Sequence, residues 1–273
     1  SRTRFQMAPL KIHRWGSPRP SAWLCLHGFM GTGFDWDVFA RAALKLDPNL
    51  RIIAPDLPGH GESPPVSADP FETQIVSLLK TEKLNEVTLI GYSLGGRLGL
   101  QCLLSDPQMF PVFVGISTTA GLDIPSEREM RKISDSELAN QLREINSEST
   151  FREFLSQWWD LPVFQSSARN LDLKNSFFET RMKQNPRAMA VAMEQWSTGV
   201  LPSLWDKFGS HKGRTLFLAG SEDDKYVQIA NRLAATTPSA ELNILNGAGH
   251  QILMEKPFEA AQCVVDFLDR SNP

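Results

Sequence analysis

VTLIGYSLG, residues 87–95, is the stretch of sequence that decides the fold of this 273-residue chain. Its apolar beginning, Val87 to Gly91, is typical of a buried strand, and the residues from Leu94 to about Leu104 are typical of a helix. A serine between two glycines at such a turn is held in a strained conformation, with its hydroxyl raised above the sheet. The stretch therefore predicts a nucleophilic Ser93, although a glycine-rich turn with no chemical role is the alternative interpretation.

Short apolar runs and longer amphipathic runs alternate on both sides of this stretch. The predicted strands are Ala22–Leu26, Arg51–Ala54, Val87–Gly91, Val112–Ser117, Thr215–Gly220 and Glu241–Leu245. The predicted helices are Phe34–Leu44, Leu94–Leu104, Val227–Ala235 and Phe258–Leu268. This alternation predicts an α/β fold with a mostly parallel central sheet and helices on both faces.

The alternation stops in the middle of the chain. From about Gly121 to Phe208 the sequence has only helical periodicity. We therefore predict a core made of residues 1–120 and 209–273, interrupted by an all-helical cap of residues 121–208. Because ligands of parallel sheets bind beyond the carboxyl ends of the strands, the cap is expected to cover the active site.

A nucleophilic serine needs a base, and five histidines are available. His250 ends the segment LNGAGH, residues 245–250, in a loop after the last predicted strand, and it follows the serine and an acid in chain order. His27 and His60 each precede a glycine in a tight turn, where an imidazole can tie loop backbone together. His13 and His211 lie outside any motif and are expected at the surface. His250 is thus the predicted base.

The acid that orients the base is expected after the penultimate strand. The segment GSEDD, residues 220–224, offers three candidates, Glu222, Asp223 and Asp224. The spacing G-x-x-D from Gly220 favours Asp223, with Asp224 as the alternative. Such a carboxylate fixes the imidazole tautomer and stabilises its positive charge.

Two backbone N–H groups are predicted to form an oxyanion hole. Phe29 closes the segment LHGF, residues 26–29, directly after the first predicted strand, and Leu94 follows the serine. Two preorganised donors at these positions can stabilise a developing oxyanion by about 3 kcal/mol each.

Arg97 lies one helical turn beyond Ser93, near the amino end of the helix. The helix dipole disfavours a cation there, so a partly buried guanidinium needs an anion. That anion is either a carboxylate of the protein, for example from the cap, or a carboxylate of a substrate. The residues alone leave both interpretations open.

Composition narrows the classes of partner. The net charge of -3 gives no reason to expect nucleic acid or a membrane surface, and no apolar run is long enough to span a bilayer. Cys25, Cys102 and Cys263 lie among apolar neighbours without metal-ligand spacing. We expect neither a disulfide framework nor a metal or cofactor, and the sequence specifies no oligomeric state.

The amino-terminal segment, residues 1–16, is basic and lacks an apolar signal-peptide core. Together with the sparse cysteines this predicts a cytoplasmic location, or a plastid location if the chain is cut from a longer plant protein.

The chain resembles the family of 2-succinyl-6-hydroxy-2,4-cyclohexadiene-1-carboxylate synthases, enzymes of quinone biosynthesis with the α/β-hydrolase fold. The resemblance covers nearly the whole chain. It is carried by LHGFMGTGFDW (26–36), PDLPGHGES (55–63), GYSLGGR (91–97), SQWWDLPVF (156–164) and GAGHQILMEKP (247–257). GYSLGGR and WWDLPVF are the discriminating segments, since the others are widespread in hydrolases of this fold.

The resemblance implies roles for particular residues. It implies a triad of Ser93, Asp223 and His250. The implied substrate-binding residues are Tyr92, Arg97, Arg131, Trp158 and Arg181, of which the arginines bind substrate carboxylates. The implied reaction is the elimination of pyruvate from a small polyanionic carboxylate, without an acyl-enzyme.

Two other functions fit the same residues. A carboxylesterase or C–C bond hydrolase would use Ser93 as a nucleophile. A non-catalytic relative that binds a small acidic ligand would retain the triad without turnover.

Overall fold

The computed structural model describes residues 8–168, 170–237 and 239–270. Residues 1–7, part of the segment in which the sequence predicts no signal peptide, lie outside the described residues. Across the described ranges, none of the helices is both long and apolar enough to cross a bilayer.

Seven strands form one sheet in the order β1-β3-β2-β4-β5-β6-β7. Their bounds are β1 Ile12–Gly16, β2 Ser21–Leu26, β3 Arg51–Pro55, β4 Glu86–Tyr92, β5 Val112–Ile116, β6 Arg214–Gly220 and β7 Ala240–Leu245. Only the pairing of β1 with β3 is antiparallel, and every other described pair is parallel. The predicted α/β fold with a mostly parallel sheet is therefore confirmed.

Helices connect the strands. In the first half of the chain these are α1 Asp37–Leu46, α2 Phe71–Thr81 and α3 Leu94–Ser105. Between β5 and β6 lie α4 Pro125–Glu144, α5 Glu148–Trp159, α6 Leu171–Arg181, α7 Pro186–Gln195 and α8 Trp205–Gly209. After β6 follow α9 Asp224–Thr236, α10 Ile252–Glu255 and α11 Pro257–Asp269. Two 3-10 helices cover Gly33–Trp36 and Pro162–Phe164.

The central strands are apolar on both faces because helices cover both. Along β2, Leu24 and Leu26 pack with side chains of α2 and α3, whereas Trp23 and Cys25 pack with side chains of α1 and α11. This alternation is the two-residue period of a strand. A sheet that is covered on both faces leaves only the ends of its strands accessible to a ligand.

Helices α4 to α7 share a separate apolar cluster. It contains Trp159, which is fully buried, together with Phe151, Phe177 and Met189. Met30, from the loop after β2, packs into the same cluster. The helical segment is therefore attached to the loop in which the sequence predicts an oxyanion hole.

Two parts of the sequence interpretation need correction. The prediction that His211 lies at the surface is wrong, because the residue is only 7% exposed and its ring stacks on Phe208. Strand β1 was not predicted, since Ile12–Gly16 is a half-exposed edge segment with charged residues. His13, on that strand, is partly exposed and hydrogen-bonded to Asp56 through Nε2 at 2.9 Å.

Candidate active site

Ser93 stands at the turn between β4 and α3 in a strained conformation. Its φ of 50° and ψ of -112° lie in a region that residues with a side chain rarely adopt. The turn is held by a hydrogen bond from Ser93 N to Ile116 O at 2.9 Å and by one from Thr118 Oγ1 to Ser93 O at 2.8 Å. The strained conformation is thus held by the end of β5 and by the loop that follows it.

Glycines on either side make this turn possible. A Cβ at Gly91 would lie 2.4 Å from the carbonyl oxygen of Gly95, and a Cβ at Gly95 would lie 2.2 Å from that of Leu26. Both neighbours are backbone atoms, which cannot move aside cheaply. The elbow therefore tolerates no side chain at either position.

The predicted base and acid lie next to Ser93. His250 Nε2 is 3.2 Å from Ser93 Oγ, and His250 Nδ1 is 2.8 Å from Asp223 Oδ2. His250 is 5% exposed and Asp223 is 8% exposed, so the pair is shielded from water. This geometry allows His250 to take the serine proton while Asp223 holds the imidazole orientation.

Asp223 is fixed by its position ahead of α9. It is the N-cap residue of that helix, and its Oδ1 accepts a hydrogen bond from the N–H of Tyr226 at 3.3 Å. Its other oxygen, Oδ2, therefore remains available to pair with His250. Asp224, the alternative acid, is the exposed first residue of α9. The structure thus brings Asp223, and not Asp224, into contact with the histidine.

The loop after β2 is held in place by α6 and the turn after it. Gln184 Nε2 donates hydrogen bonds to the carbonyl oxygens of Met30 at 3.1 Å and Gly31 at 2.9 Å. Phe29, between these residues and the strand, lines the same cavity as Leu94 at the start of α3. The two predicted oxyanion-hole residues therefore lie at one cavity, beside Ser93.

His27 and His60 are buried and support this loop. His27 Nδ1 donates to Gly28 O at 2.7 Å, and its Nε2 accepts from Leu57 N at 2.9 Å, so the ring is neutral. Burial lowers the pKa of His27 to about 4. Burial, together with the neighbouring His27, lowers the pKa of His60 to about 3. Both rings thus have the structural role that the sequence predicts.

A cavity of about 640 Å³ opens between the sheet and α4 to α7. This volume falls in the range of small-molecule sites. All the residues predicted for the site line it: Phe29, Tyr92, Ser93, Leu94, Arg97, Arg131, Trp158, Arg181, Asp223 and His250. The structure therefore brings together residues from the first 120 positions, the helical segment and the last part of the chain.

Arg97 lines the cavity without a carboxylate partner among the described residues. The one hydrogen bond of its side chain there runs from a terminal nitrogen to the carbonyl oxygen of Trp196 at 2.8 Å. Burial lowers its pKa to about 10, and the nearby Arg131 acts in the same direction. A guanidinium with that pKa is still charged at neutral pH. Of the two anions considered from the sequence, a protein carboxylate in ion-pair contact is not found in the described part of the chain, although the charge of Asp135 acts on the pKa of Arg97.

Arg131 and Arg181 differ from Arg97, because each is already paired. Arg131 donates from Nε to both oxygens of Asp135, each at 2.8 Å, and its side chain is 44% exposed. Arg181 binds Asp35 with both terminal nitrogens, at 3.1 and 2.7 Å. It is 8% exposed, and its buried Nε has no partner among the described residues. The paired carboxylate offsets much of the charge that Arg181 brings to the cavity.

Aromatic rings form much of the remaining wall. Tyr92 packs on His250 with ring centroids 5.7 Å apart, and burial raises the pKa of its hydroxyl. The ring centroid of Trp158 lies 5.5 Å from that of Phe29 and 6.4 Å from that of Phe164. The apolar wall around a few polar groups is the usual composition of a ligand site.

Sequence reasoning missed several residues of this wall, and two of them lie close to the triad acid in the chain. Lys225 and Tyr226, at the start of α9, both line the cavity. They follow the triad acid by two and three residues, and this spacing is the only signal in the sequence that could have located them. No group of three or more His, Cys, Asp or Glu side chains that could hold a metal occurs in the described ranges.

A strained serine over a mostly parallel sheet, hydrogen-bonded to a histidine that in turn pairs with a carboxylate, defines the class of serine-dependent α/β-hydrolases. The family model described as alpha/beta hydrolase family matches residues 23–262. The chain belongs to that family and, within it, to the family of 2-succinyl-6-hydroxy-2,4-cyclohexadiene-1-carboxylate synthases.

The assignment to this family is supported by sequence relatives and by a solved structure. A protein of Bacillus subtilis (strain 168), provisionally named as such a synthase, is 30% identical over 93% of this chain and 92% of its own length. The synthase of Escherichia coli O1:K1 / APEC is 29% identical over 86% of this chain and 89% of its own. The structure of MenH from S. aureus is 27% identical, covers 98% of this chain and 100% of its own, and superposes with a TM-score of 0.86.

A plant relative is much longer. Protein PHYLLO, chloroplastic, of Arabidopsis thaliana is 24% identical over 96% of this chain, but the match spans 16% of the plant protein.

Proposed function

We propose that this protein is a lyase that eliminates pyruvate from 2-succinyl-5-enolpyruvyl-6-hydroxy-3-cyclohexene-1-carboxylate to give 2-succinyl-6-hydroxy-2,4-cyclohexadiene-1-carboxylate. The observation that carries the proposal is Arg97, a half-buried residue four positions beyond Ser93, whose guanidinium forms no ion pair with a carboxylate among the described residues. A plain ester offers such a cation no partner. The names of the B. subtilis and E. coli relatives support the same reaction.

The reaction begins with removal of a ring proton alpha to the succinyl carbonyl. Ser93 and His250, 3.2 Å apart, act together as the base, and Asp223 stabilises the protonated imidazole. The electron pair of the broken C–H bond forms an enolate. The N–H groups of Phe29 and Leu94 are proposed to bind the enolate oxygen.

Elimination completes the reaction. As the enolate collapses, its electrons move through the ring double bond and break the C–O bond to the enolpyruvyl group. The leaving enolate accepts the proton held by His250 and becomes pyruvate. Protons and electrons balance without an acyl-enzyme, so water is not a reactant.

The arginines are proposed to bind the carboxylates of the substrate. Arg97 has an unpaired charge, and Arg131 has two terminal nitrogens with no hydrogen bond among the described residues. Arg181 contributes through the potential of the cavity wall, since Asp35 takes its terminal nitrogens. A small polyanionic carboxylate is the ligand that this arrangement favours.

The helical segment α4 to α7 is proposed to act as a cap that excludes water from the enolate. A cytoplasmic location is proposed with it, supported by Cys25, Cys102 and Cys263, which are free thiols.

The test is to offer purified protein the enolpyruvyl substrate and, separately, p-nitrophenyl acetate. We expect rapid release of pyruvate, followed with lactate dehydrogenase and NADH, and negligible release of nitrophenol. Ser93→Ala should lower pyruvate release by about 10³-fold or more, because the base loses its hydroxyl.

The opposite result would assign a different reaction. Fast ester cleavage with no pyruvate would make Ser93 the nucleophile of a carboxylesterase or C–C bond hydrolase. Binding of a carboxylate without turnover of either compound would indicate a non-catalytic relative. Ser105→Ala, at the far end of α3, serves as the matched control and should leave pyruvate release unchanged.

A further inference from the structure

Tyr226 lies in the first turn of α9, at the wall of the catalytic cavity. Its ring centroid is 4.5 Å from that of His250, with 52° between the planes. Its N–H holds Asp223, as described above. The residue therefore touches the base and the acid, and its hydroxyl remains to be explained.

That hydroxyl has no hydrogen-bond partner among the described residues. Tyr226 is partly buried at the wall of the cavity. A polar group there without a protein partner is usually satisfied by water or by a ligand. Phenylalanine would fill the same space against His250. The hydroxyl is thus unexplained by packing.

The charges around the ring favour an anion. Burial raises the pKa of the Tyr226 hydroxyl, which keeps it protonated, while Arg97 and Arg131 act on it with opposing sign. Tyr226 is also among the groups that act on the pKa of Arg97. The cavity thus holds a neutral O–H donor within the field of two guanidinium groups, a combination suited to one carboxylate.

We propose that Tyr226 is a specificity-determining residue that donates its phenolic hydrogen to the substrate carboxylate bound by Arg97. This proposal rests on the function proposed above. The two donors would approach one carboxylate from the first turns of α3 and α9, both of which line the cavity. An ester or amide at that position accepts a weaker hydrogen bond than a carboxylate does, so the hydroxyl adds selectivity for the acid.

Tyr226→Phe tests the proposal, because it removes the oxygen and keeps the ring over His250. We expect KM for the enolpyruvyl substrate to rise about 10-fold or more, with kcat changed by less than about twofold. The Kd for succinate, a dicarboxylate probe measured by thermal shift, should rise by a similar factor. An unchanged Tm without ligand would show that the variant folds normally.

A double-mutant cycle with Arg97→Met separates a shared carboxylate from a structural role. If both groups bind one carboxylate, the double variant should lose clearly less affinity for succinate than the product of the two single losses. Purely multiplicative losses would overturn the proposal. A fall in kcat of Tyr226→Phe with KM unchanged would also overturn it and assign the hydroxyl to the chemical step.

The outcomes keep this inference distinct from the proposed reaction. If no pyruvate is released but succinate binds more weakly to Tyr226→Phe, the reaction assignment fails and the carboxylate contact stands. If pyruvate is released and Tyr226→Phe changes neither KM nor the Kd for succinate, the reaction stands and the role of Tyr226 is wrong.

Discussion

Ser93, His250 and Asp223 come from three separate loops, and each is placed by a different local cause. Ser93 is strained by glycine-flanked backbone, Asp223 caps α9, and His250 follows β7 in a loop. Their separations of 3.2 and 2.8 Å are therefore a property of the sheet, whose parallel strands end at one edge.

The first prediction separates the two adjacent aspartates. Asp223→Asn should lower kcat by about 10³- to 10⁴-fold, because an amide cannot stabilise the protonated imidazole and favours the wrong tautomer. Asp224→Asn changes an exposed side chain next to it and should alter kcat by less than about twofold. Pyruvate release under saturating substrate measures both. Equal losses in the two variants would contradict the assignment of the acid.

At the residue scale the sequence was most informative where a motif has a fixed backbone. Ser93, His250 and Asp223 each follow a strand at a known spacing, so their proximity could be predicted. The partner of Arg97 could not be predicted, because Trp196 lies 99 residues away, directly after α7, and nothing in the local sequence signals how that turn packs. The pairing of Arg181 with Asp35, 146 residues apart in the chain, could not be predicted either, because it also depends on tertiary packing.

At the scale of elements, the loop that holds His250 is linked to the helical segment by one carboxylate. Glu255 Oε2 accepts a hydrogen bond from the N–H of Gly249 at 2.6 Å. Its other oxygen accepts from Ser166 Oγ at 3.3 Å and from Ser167 Oγ. The residue thus spans from the backbone beside His250 to the turn after α5.

The second prediction concerns this link. Glu255→Ala should lower kcat/KM by about 10- to 100-fold, because a small displacement of the base impairs proton transfer. It should also reduce the free energy of unfolding by about 1–3 kcal/mol, since the N–H of Gly249 loses its acceptor. Steady-state kinetics and urea unfolding measure the two effects.

Glu259→Ala provides the control for this prediction. Glu259 lies in the first turn of α11, is about half exposed and pairs only with Lys256 at 3.5 Å among the described residues. Its removal should change kcat/KM by less than about twofold. If Glu255→Ala behaved in the same way, the link would have no part in positioning His250.

Elements with strong periodicity were predictable from sequence, and the edge strand β1 was not. The strands β2, β4, β5 and β6 are apolar runs that end in turns, and they occur within about two residues of their predicted bounds. Strand β1 is recognisable only through its antiparallel pairing with β3, which buries little of it. Tertiary context therefore decides that strand.

At the scale of the whole molecule, the helical segment contacts each catalytic loop. Gln184 binds the loop after β2, Trp196 accepts from Arg97, and Ser167 binds Glu255 beside His250. Displacement of α4 to α7 would thus alter the oxyanion hole, the proposed carboxylate site and the base together. The cavity is therefore formed by the helical segment and the α/β core together, although the sequence predicts them as separate parts of the chain.

The buried imidazoles of His27 and His60 lie where these parts meet, and they make the fold sensitive to acid. Their folded pKa values of about 4 and about 3 are below the value of about 6.5 for an unfolded histidine. As the pH falls below about 6.5, the unfolded chain binds protons that the folded chain excludes, so the free energy of unfolding decreases. This loss continues until the pH reaches the folded pKa values.

The third prediction is the size of that loss. Between pH 7 and pH 5 each of the two histidines should lower the free energy of unfolding by about 2 kcal/mol. The total free energy of unfolding of a typical protein is about 5–15 kcal/mol. His60→Asn keeps a donor for the carbonyl oxygen of Pro58 and cannot titrate, so its loss between the two pH values should be about 2 kcal/mol smaller. Urea unfolding at both pH values measures this difference. An equal decrease in the wild-type protein and in His60→Asn would show that His60 is not protonated on unfolding in this range, and the acid sensitivity would then have to arise from other groups.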